Sequence, residues 1–206
     1  MSDLSGVLLS IPALGHACVI DRPGYNERYT KKYGRQKWLL CKTAFDVLVE
    51  RAAKHAIAEG RKLRVYPERG DKTSDARVRG YYEELRTVGL PFDPNISSKY
   101  TPLTQQQLAD TLYDLKFKLK SSPMAQLADL YLYPICRGGY EANYRPYTML
   151  REKQKLVDDV LPPADAAVRG IKYSCFELVH AAKSGPQKAQ EPGFPQLQAS
   201  LHAETS

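Results

Sequence analysis

The stretch Leu63-Arg-Val-Tyr-Pro-Glu68 decides the fold. Apolar and polar residues alternate in it as far as Pro67, a pattern typical of a short, half-buried strand that a proline ends. A helical stripe of apolar residues precedes it, from Trp38 to about Ala58, and Gly60 follows as a helix stop. A long helix followed directly by a strand predicts an α/β protein in which at least part of the sheet is parallel.

The same alternation of strands and helices continues on both sides of this stretch. The predicted elements are a strand at His16–Ile20 closed by a turn at Asp21–Gly24, a helix capped by Ser74 and ended by Gly89, strands at Ile96–Tyr100 and Leu112–Leu115, and a helix from Pro123 to about Tyr133. The last of these helices is apolar on nearly every side, so we expect it to be well buried.

Length and composition indicate one domain with a tail. The 206 residues contain 30 Lys and Arg against 23 Asp and Glu, a formal net charge of +7, and 43% hydrophobic residues, as in an ordinary globular protein. We predict a domain over residues 1–182 and a disordered tail over 183–206, where Pro, Gln, Gly and Ala dominate without periodicity.

Several classes are excluded by missing patterns. No apolar run is long enough to span a membrane, and the first residues lack the layout of a secretory signal. The four cysteines are far apart, which excludes a zinc motif and favours a reducing, cytoplasmic compartment. There is no Gly-rich phosphate loop and no Gly-x-Ser-x-Gly elbow, so dinucleotide enzymes and esterases are excluded as well.

Two carboxylates stand out by their positions. Glu68 follows the carboxyl end of a predicted strand, and Asp129 lies within the apolar helix, where an unpaired acid is costly. Oxygen ligands suit Mg²⁺ or Mn²⁺, so together they suggest a hard-cation site. The alternative is that Glu68 is a solvated loop acid and that Asp129 pairs with an Arg or Lys.

Four stretches carry a resemblance to a known family: Cys18-Val-Ile-Asp-Arg-Pro-Gly-Tyr25, Lys31-Lys-Tyr-Gly34, Leu63-Arg-Val-Tyr-Pro-Glu-Arg69 and Lys120-Ser-Ser-Pro-Met-Ala-Gln-Leu-Ala-Asp129. In order and spacing they resemble the domain-of-unknown-function-3800 family (DUF3800), over residues 3 to about 156. The resemblance implies a ribonuclease-H-like mixed sheet with flanking helices and a nuclease-like carboxylate site. It carries the acidic positions over to Glu68 and Asp129, with Lys120 and Gln126 at polar positions beside Asp129.

The chain departs from the family at its beginning. Members of the family begin with a strand bearing an Asp-Glu-Ser-Gly motif, which does not occur here. We therefore expect a ribonuclease-H-like domain that lacks its first strands, completed by a missing N-terminal segment or an oligomer partner. Asp21 is a candidate substitute for the missing carboxylate, but a turn acid that accepts hydrogen bonds ahead of Arg22-Pro-Gly24 already accounts for it.

Basic residues concentrate in three clusters, which are Arg28/Lys31/Lys32/Arg35/Lys37, Arg61/Lys62/Arg64 and Lys116/Lys118/Lys120. Cations interleaved with tyrosines suit nucleic acid, although the solvated side of a helix gives the same spacing. The leading hypothesis is a metal-dependent nuclease with an incomplete catalytic site, in which Glu68 and Asp129 bind the metal and Lys120 contacts phosphate. The alternatives are a non-catalytic nucleic-acid-binding or protein-interaction module, and a vestigial product.

Overall fold

The computed structural model describes Gly6 and residues 8–33, 37–177 and 179. Within these residues the strands are β1 (Cys18–Ile20), β2 (Leu63–Val65), β3 (Leu112–Leu115) and β4 (Lys172–Ser174). The helices are α1 (Arg22–Tyr33), α2 (Lys37–Ala58), α3 (Lys72–Thr87), α4 (Pro94–Ser97), α5 (Gln105–Thr111), α6 (Pro123–Tyr140), α7 (Arg145–Glu152), α8 (Val157–Val160) and α9 (Pro163–Arg169), with a 3₁₀ turn at Ser98–Tyr100. The predicted tail 183–206 lies outside the described residues.

The strands form two separate parallel pairs. β1 pairs with β4, Val19 lying opposite Tyr173, and β2 pairs with β3, Val65 lying opposite Leu115. The α/β class and the parallel pairing predicted from the sequence are therefore confirmed. None of the helices in the described ranges is both long and apolar enough to cross a membrane.

Helix α2 is the element that contacts both strand pairs, through β1 and β2. Its start and end agree with the predicted apolar stripe, and Gly60 follows it with a φ of 62°, a conformation that glycine adopts without strain. Arg51, which is buried, donates hydrogen bonds to the carbonyls of Gly170 and Ala167 at 2.6 and 2.7 Å. These bonds fix the end of α9 against α2.

Two hydrophobic clusters support the strand pairs. The first joins β1 to α6, α7 and α8 through residues that include Val19, Tyr131, Ile135, Leu150 and Leu156. The second joins α2, α3 and α5 to β3 through residues that include Val49, Ala53, Leu85, Leu108 and Leu112. The sides of α2 and α6 that face these clusters are the apolar ones, as burial of nonpolar area requires.

One predicted turn and one predicted helix cap need correction. Asp21–Gly24 is the beginning of α1 rather than a simple turn, because the Asp21 side chain accepts the Gly24 N–H at 2.8 Å and so satisfies a donor at the start of the helix. Helix α3 is capped by Asp71 and not by Ser74; the Asp71 carboxylate accepts the N–H groups of Thr73 and Ser74.

Two other predictions need correction. The strand expected at Ile96–Tyr100 is wrong: α4 and the 3₁₀ turn occupy it, because Pro94 begins a helix and Asp93 accepts the N–H groups of Asn95 and Ser97. Helix α6 begins at Pro123 as expected but continues through Gly138-Gly139 to Tyr140. A Cβ at Gly138 would lie 2.4 Å from the Tyr147 ring, so the two glycines serve packing rather than helix termination.

Candidate functional site

The outer face of β2 is polar and aromatic. Arg64, Tyr66 and Glu68 are exposed, whereas Leu63 and Val65, which alternate with them, are half-buried. This is the alternation of a strand with one face on the core and one face in solvent. Glu68 is thus presented on the same side as Arg64 and Tyr66.

Backbone pairing between the β2 and β3 segments continues beyond the ends of both strands. The N–H of Lys118 donates to the carbonyl of Pro67 at 2.8 Å, and the N–H of Arg69 donates to the carbonyl of Lys118 at 2.7 Å. Glu68 and Lys118 therefore form a parallel bridge. The bridge holds an exposed acid directly beside the basic segment Lys116–Lys120.

Cations and rings interleave on this face. The Arg64 guanidinium lies 4.7 Å from the centroid of the Tyr113 ring, and the Lys118 ammonium lies 4.9 Å from that of Tyr66. The two rings are 55% and 45% exposed, so each still offers area to a ligand. We call this surface the β2–β3 face; it consists of Arg64, Tyr66, Glu68, Tyr113, Lys116 and Lys118.

Among the described residues, Lys116 of the β2–β3 face has an acidic partner. Its ammonium lies 2.9 Å from the Asp114 carboxylate. The hydrogen bond from Lys116 lowers the pKa of Asp114, which keeps that carboxylate ionised. Lys116 is exposed and Asp114 is half-buried, so solvent screens much of the attraction between them.

The three residues predicted for the site are all exposed. Glu68, Asp129 and Lys120 have no side-chain partner among the described residues. The alternative pairing of Asp129 with an Arg or Lys does not occur among the described residues, and the expectation that Asp129 is buried is wrong. Helix α6 turns Leu127, Tyr131 and Ile135 to the core and leaves Asp129 in solvent on another side.

Glu68 and Asp129 lie beside different parts of the structure. Glu68 continues the β2–β3 pair, whereas Asp129 lines a pocket of about 270 Å³ together with Leu8, Tyr133 and Tyr144. Glu68 is not among the residues that line this pocket, and no hydrogen bond joins the two acids. Within the described part of the chain, no group of three or more His, Cys, Asp and Glu side chains is placed to hold a metal ion.

Asp21, the candidate substitute carboxylate, is buried and uses both of its oxygens. Oδ2 accepts the Gly24 N–H, and Oδ1 accepts the Tyr140 hydroxyl at 2.8 Å. Burial of Tyr140 and its hydrogen bond to Asp21 raise the pKa of Tyr140 to about 12, so the phenol stays protonated as a donor. These contacts support a structural role for Asp21.

The sequence analysis missed a second pocket, at the carboxyl ends of β1 and β4. Ile20 and Ser174, the last residues of these strands, line it together with Lys42 and Asp46 of α2. The Asp46 side chain is fully buried, and burial raises its pKa to about 6. The signal in the sequence is an acid four residues after a lysine, within the apolar stripe of a helix.

Comparison with known proteins gives one relative of this chain. A protein of Sinorhizobium fredii, "Uncharacterized protein y4pM", is 39% identical to this chain over 176 residues, which cover 85% of this chain. The chain spans 64% of the length of that relative. No family model and no solved structure matches the chain.

Proposed function

We propose that this protein is a ribonuclease-H-like, metal-dependent nuclease of the domain-of-unknown-function-3800 type, whose β2–β3 face binds nucleic acid. The observation that carries the proposal is the position of Glu68, an unpaired carboxylate beside exposed cations and rings at the carboxyl ends of two parallel strands. Open α/β sheets bind their ligands at such ends.

The chemistry of the β2–β3 face suits a nucleic-acid strand. Arg64 and Lys118 would neutralise phosphates, and Tyr66 and Tyr113 offer rings on which bases can stack. In the proposal Glu68 and Asp129 would hold Mg²⁺ or Mn²⁺, and the ion would supply Lewis-acid chemistry for phosphodiester hydrolysis. Lys120 contacts phosphate as an electrostatic partner.

The arrangement of the strands supports the ribonuclease-H-like part of the proposal. Both parallel pairs contact the same helix, α2, as strands of one sheet packed on a helix would. Because two-metal cleavage needs several carboxylates, the proposal assigns the remaining ligands to a further segment or to a partner chain. The longer relative is consistent with a further segment.

A second candidate is a nucleic-acid-binding module without catalysis. The observation that favours it is that the described residues contain no cluster of three metal-ligating side chains. In this alternative the β2–β3 face binds phosphate and bases, and Glu68 only tunes the charge of the surface.

A cleavage assay separates the two candidates. The chain, together with the further segment or partner that completes the site, is incubated with labelled single-stranded DNA, RNA or an RNA–DNA hybrid, with Mg²⁺ or Mn²⁺ or with EDTA. The nuclease proposal expects metal-dependent cleavage that Glu68→Gln and Asp129→Asn each abolish, whereas Glu152→Gln, a change of a surface acid paired with Arg145, leaves it intact. Metal-independent binding without cleavage would establish the module instead, and cleavage undiminished in both variants would refute the assigned roles.

A further inference from the structure

The pocket at the carboxyl ends of β1 and β4 has the form of a small-molecule site. Its volume is about 370 Å³, within the range of ligand pockets, and its lining combines aromatic side chains with a few polar groups. Tyr25 and Tyr29 come from α1, Lys42 and Asp46 come from α2, and Phe92 comes from the segment that follows α3. Three separate segments thus converge at the ends of two parallel strands.

Asp46 brings an unsatisfied acceptor to this pocket. Its side chain is 0% exposed, and Oδ2 accepts a hydrogen bond from the Lys42 ammonium at 3.0 Å. Within the part of the chain that the structure describes, Oδ1 has no hydrogen-bond partner. A buried carboxylate oxygen without a donor is costly, so an incoming N–H or O–H group would be strongly favoured there.

Lys42 determines which kind of donor fits. Its ammonium lies 3.0 Å from Asp46 Oδ2 and 3.3 Å from Glu84 Oε2, so two of its three N–H bonds have acceptors and one is available. A metal ion or an amine at Asp46 Oδ1 would meet the positive charge of Lys42 a few ångströms away. A neutral ligand with an N–H donor beside a carbonyl acceptor matches the Asp46–Lys42 pair without that repulsion.

The walls of the pocket favour a flat ligand. The Tyr25 and Tyr29 rings lie with their centroids 4.9 Å apart and their planes inclined by 47°, and Phe92 supplies a third ring. Aromatic walls bury the faces of a planar heterocycle at low cost in conformational entropy. The Asp46–Lys42 pair would then form hydrogen bonds with the polar groups at the edge of the ligand ring.

We propose that this pocket binds a nucleobase that carries a ring N–H beside a carbonyl, as uracil and guanine do, with Asp46 Oδ1 accepting the N–H and Lys42 Nζ donating to the carbonyl oxygen. The same chemistry is present in a free nucleoside or nucleotide and in an unstacked base of a single strand. The proposal does not rest on the proposed function, because neither Glu68 nor the β2–β3 face takes part in it.

The test uses probes that differ in one donor. Binding of uridine and guanosine to the full chain is measured by calorimetry and by saturation-transfer NMR, and compared with binding of 3-methyluridine and 1-methylguanosine. Because the methyl group removes the ring N–H, we expect affinity to fall about tenfold or more for each pair. Equal affinity within both pairs, or no binding of any nucleoside at millimolar concentration, would overturn the proposal.

Variants complement the methylated probes. Asp46→Leu should remove the discrimination between uridine and 3-methyluridine, whereas Glu152→Gln should retain it; a variant that discriminates as the wild type does would contradict the role of Asp46. Lys153→Ala, which changes an exposed lysine outside the pocket, should leave nucleoside affinity unchanged. Nucleoside binding without any cleavage of nucleic acid would keep this proposal and overturn only the proposed function. Competition between uridine and a short oligouridylate identifies the source: displacement by the oligonucleotide at lower concentration points to a strand, and weaker displacement points to the free nucleoside.

Discussion

Glu68 and Lys118 face each other in a parallel backbone bridge that extends the β2–β3 pairing beyond both strands. The bridge fixes an unpaired carboxylate next to a cation whose ammonium lies over the Tyr66 ring rather than on the carboxylate itself. Glu68 is therefore available to a cation from solution while the surrounding surface remains positive. This combination is what a site for an anionic polymer and a divalent ion requires.

Replacing single cations of the β2–β3 face should weaken nucleic-acid binding. Lys118→Ala and Arg64→Ala each remove one phosphate contact, so we expect lower affinity for all sequences and a slope of log K against log salt that is smaller in magnitude by about 1. Fluorescence anisotropy across a salt series measures this. Lys153→Ala, which changes an exposed lysine at the end of α7, is the control; an equal loss in that variant would show that only net charge matters.

The buried carboxyl of Asp46 should give the stability of the fold a characteristic pH dependence. Burial raises the pKa of Asp46 from the 3.8 of a free carboxyl to about 6, so the folded state holds a proton that the unfolded state has lost between these values. The contribution of Asp46 to the free energy of unfolding therefore falls as the pH rises through about 6. Below about pH 4 that contribution is fully present.

Comparison with Asp46→Asn isolates this contribution. Between pH 8 and pH 5 the wild type should gain about 1 kcal/mol of unfolding free energy relative to the variant. Urea denaturation at several pH values measures the difference. A difference that stays constant over this range, or one that shrinks towards pH 5, would contradict the raised pKa.

Arg51→Ala should be among the more destabilising substitutions outside the hydrophobic clusters. It removes a buried hydrogen bond to the Gly170 carbonyl, which keeps its contact with the His16 ring, and a partly buried one to the Ala167 carbonyl. We expect a loss of about 2–4 kcal/mol in the free energy of unfolding. Arg61→Ala, which changes an exposed arginine after α2, should cost no more than about 0.5 kcal/mol; equal effects of the two would show that the contacts to α9 contribute nothing.

The parts of the fold that local chemistry determines are predictable from the sequence. Helix α2 follows from an apolar stripe and a glycine stop, and β3 follows from a short apolar run, because these signals lie within the elements themselves. The segment Ile96–Tyr100 also looks like a strand by composition. Its helical turns result from Asp93 and Pro94, which precede the apolar residues.

Burial of single charged residues was not predictable in the same way. Asp129 lies in a helix that is apolar all round, and its exposure depends on which side of α6 packs against β1 and α7. Asp46 was missed because its environment is assembled from Lys42 on the same helix and Glu84 on another. Tertiary packing, and not local pattern, decides both cases.

The proposal that Glu68 and Asp129 bind the same divalent ion is tested most directly by measuring Mn²⁺ binding to the wild type, Glu68→Gln, Asp129→Asn and the double variant. Electron paramagnetic resonance counts free and bound Mn²⁺ in each sample. If one ion bridges both carboxylates, either single substitution removes that site and the double substitution removes nothing more. Losses that add in the double variant, or a site that survives both substitutions, would contradict the claim.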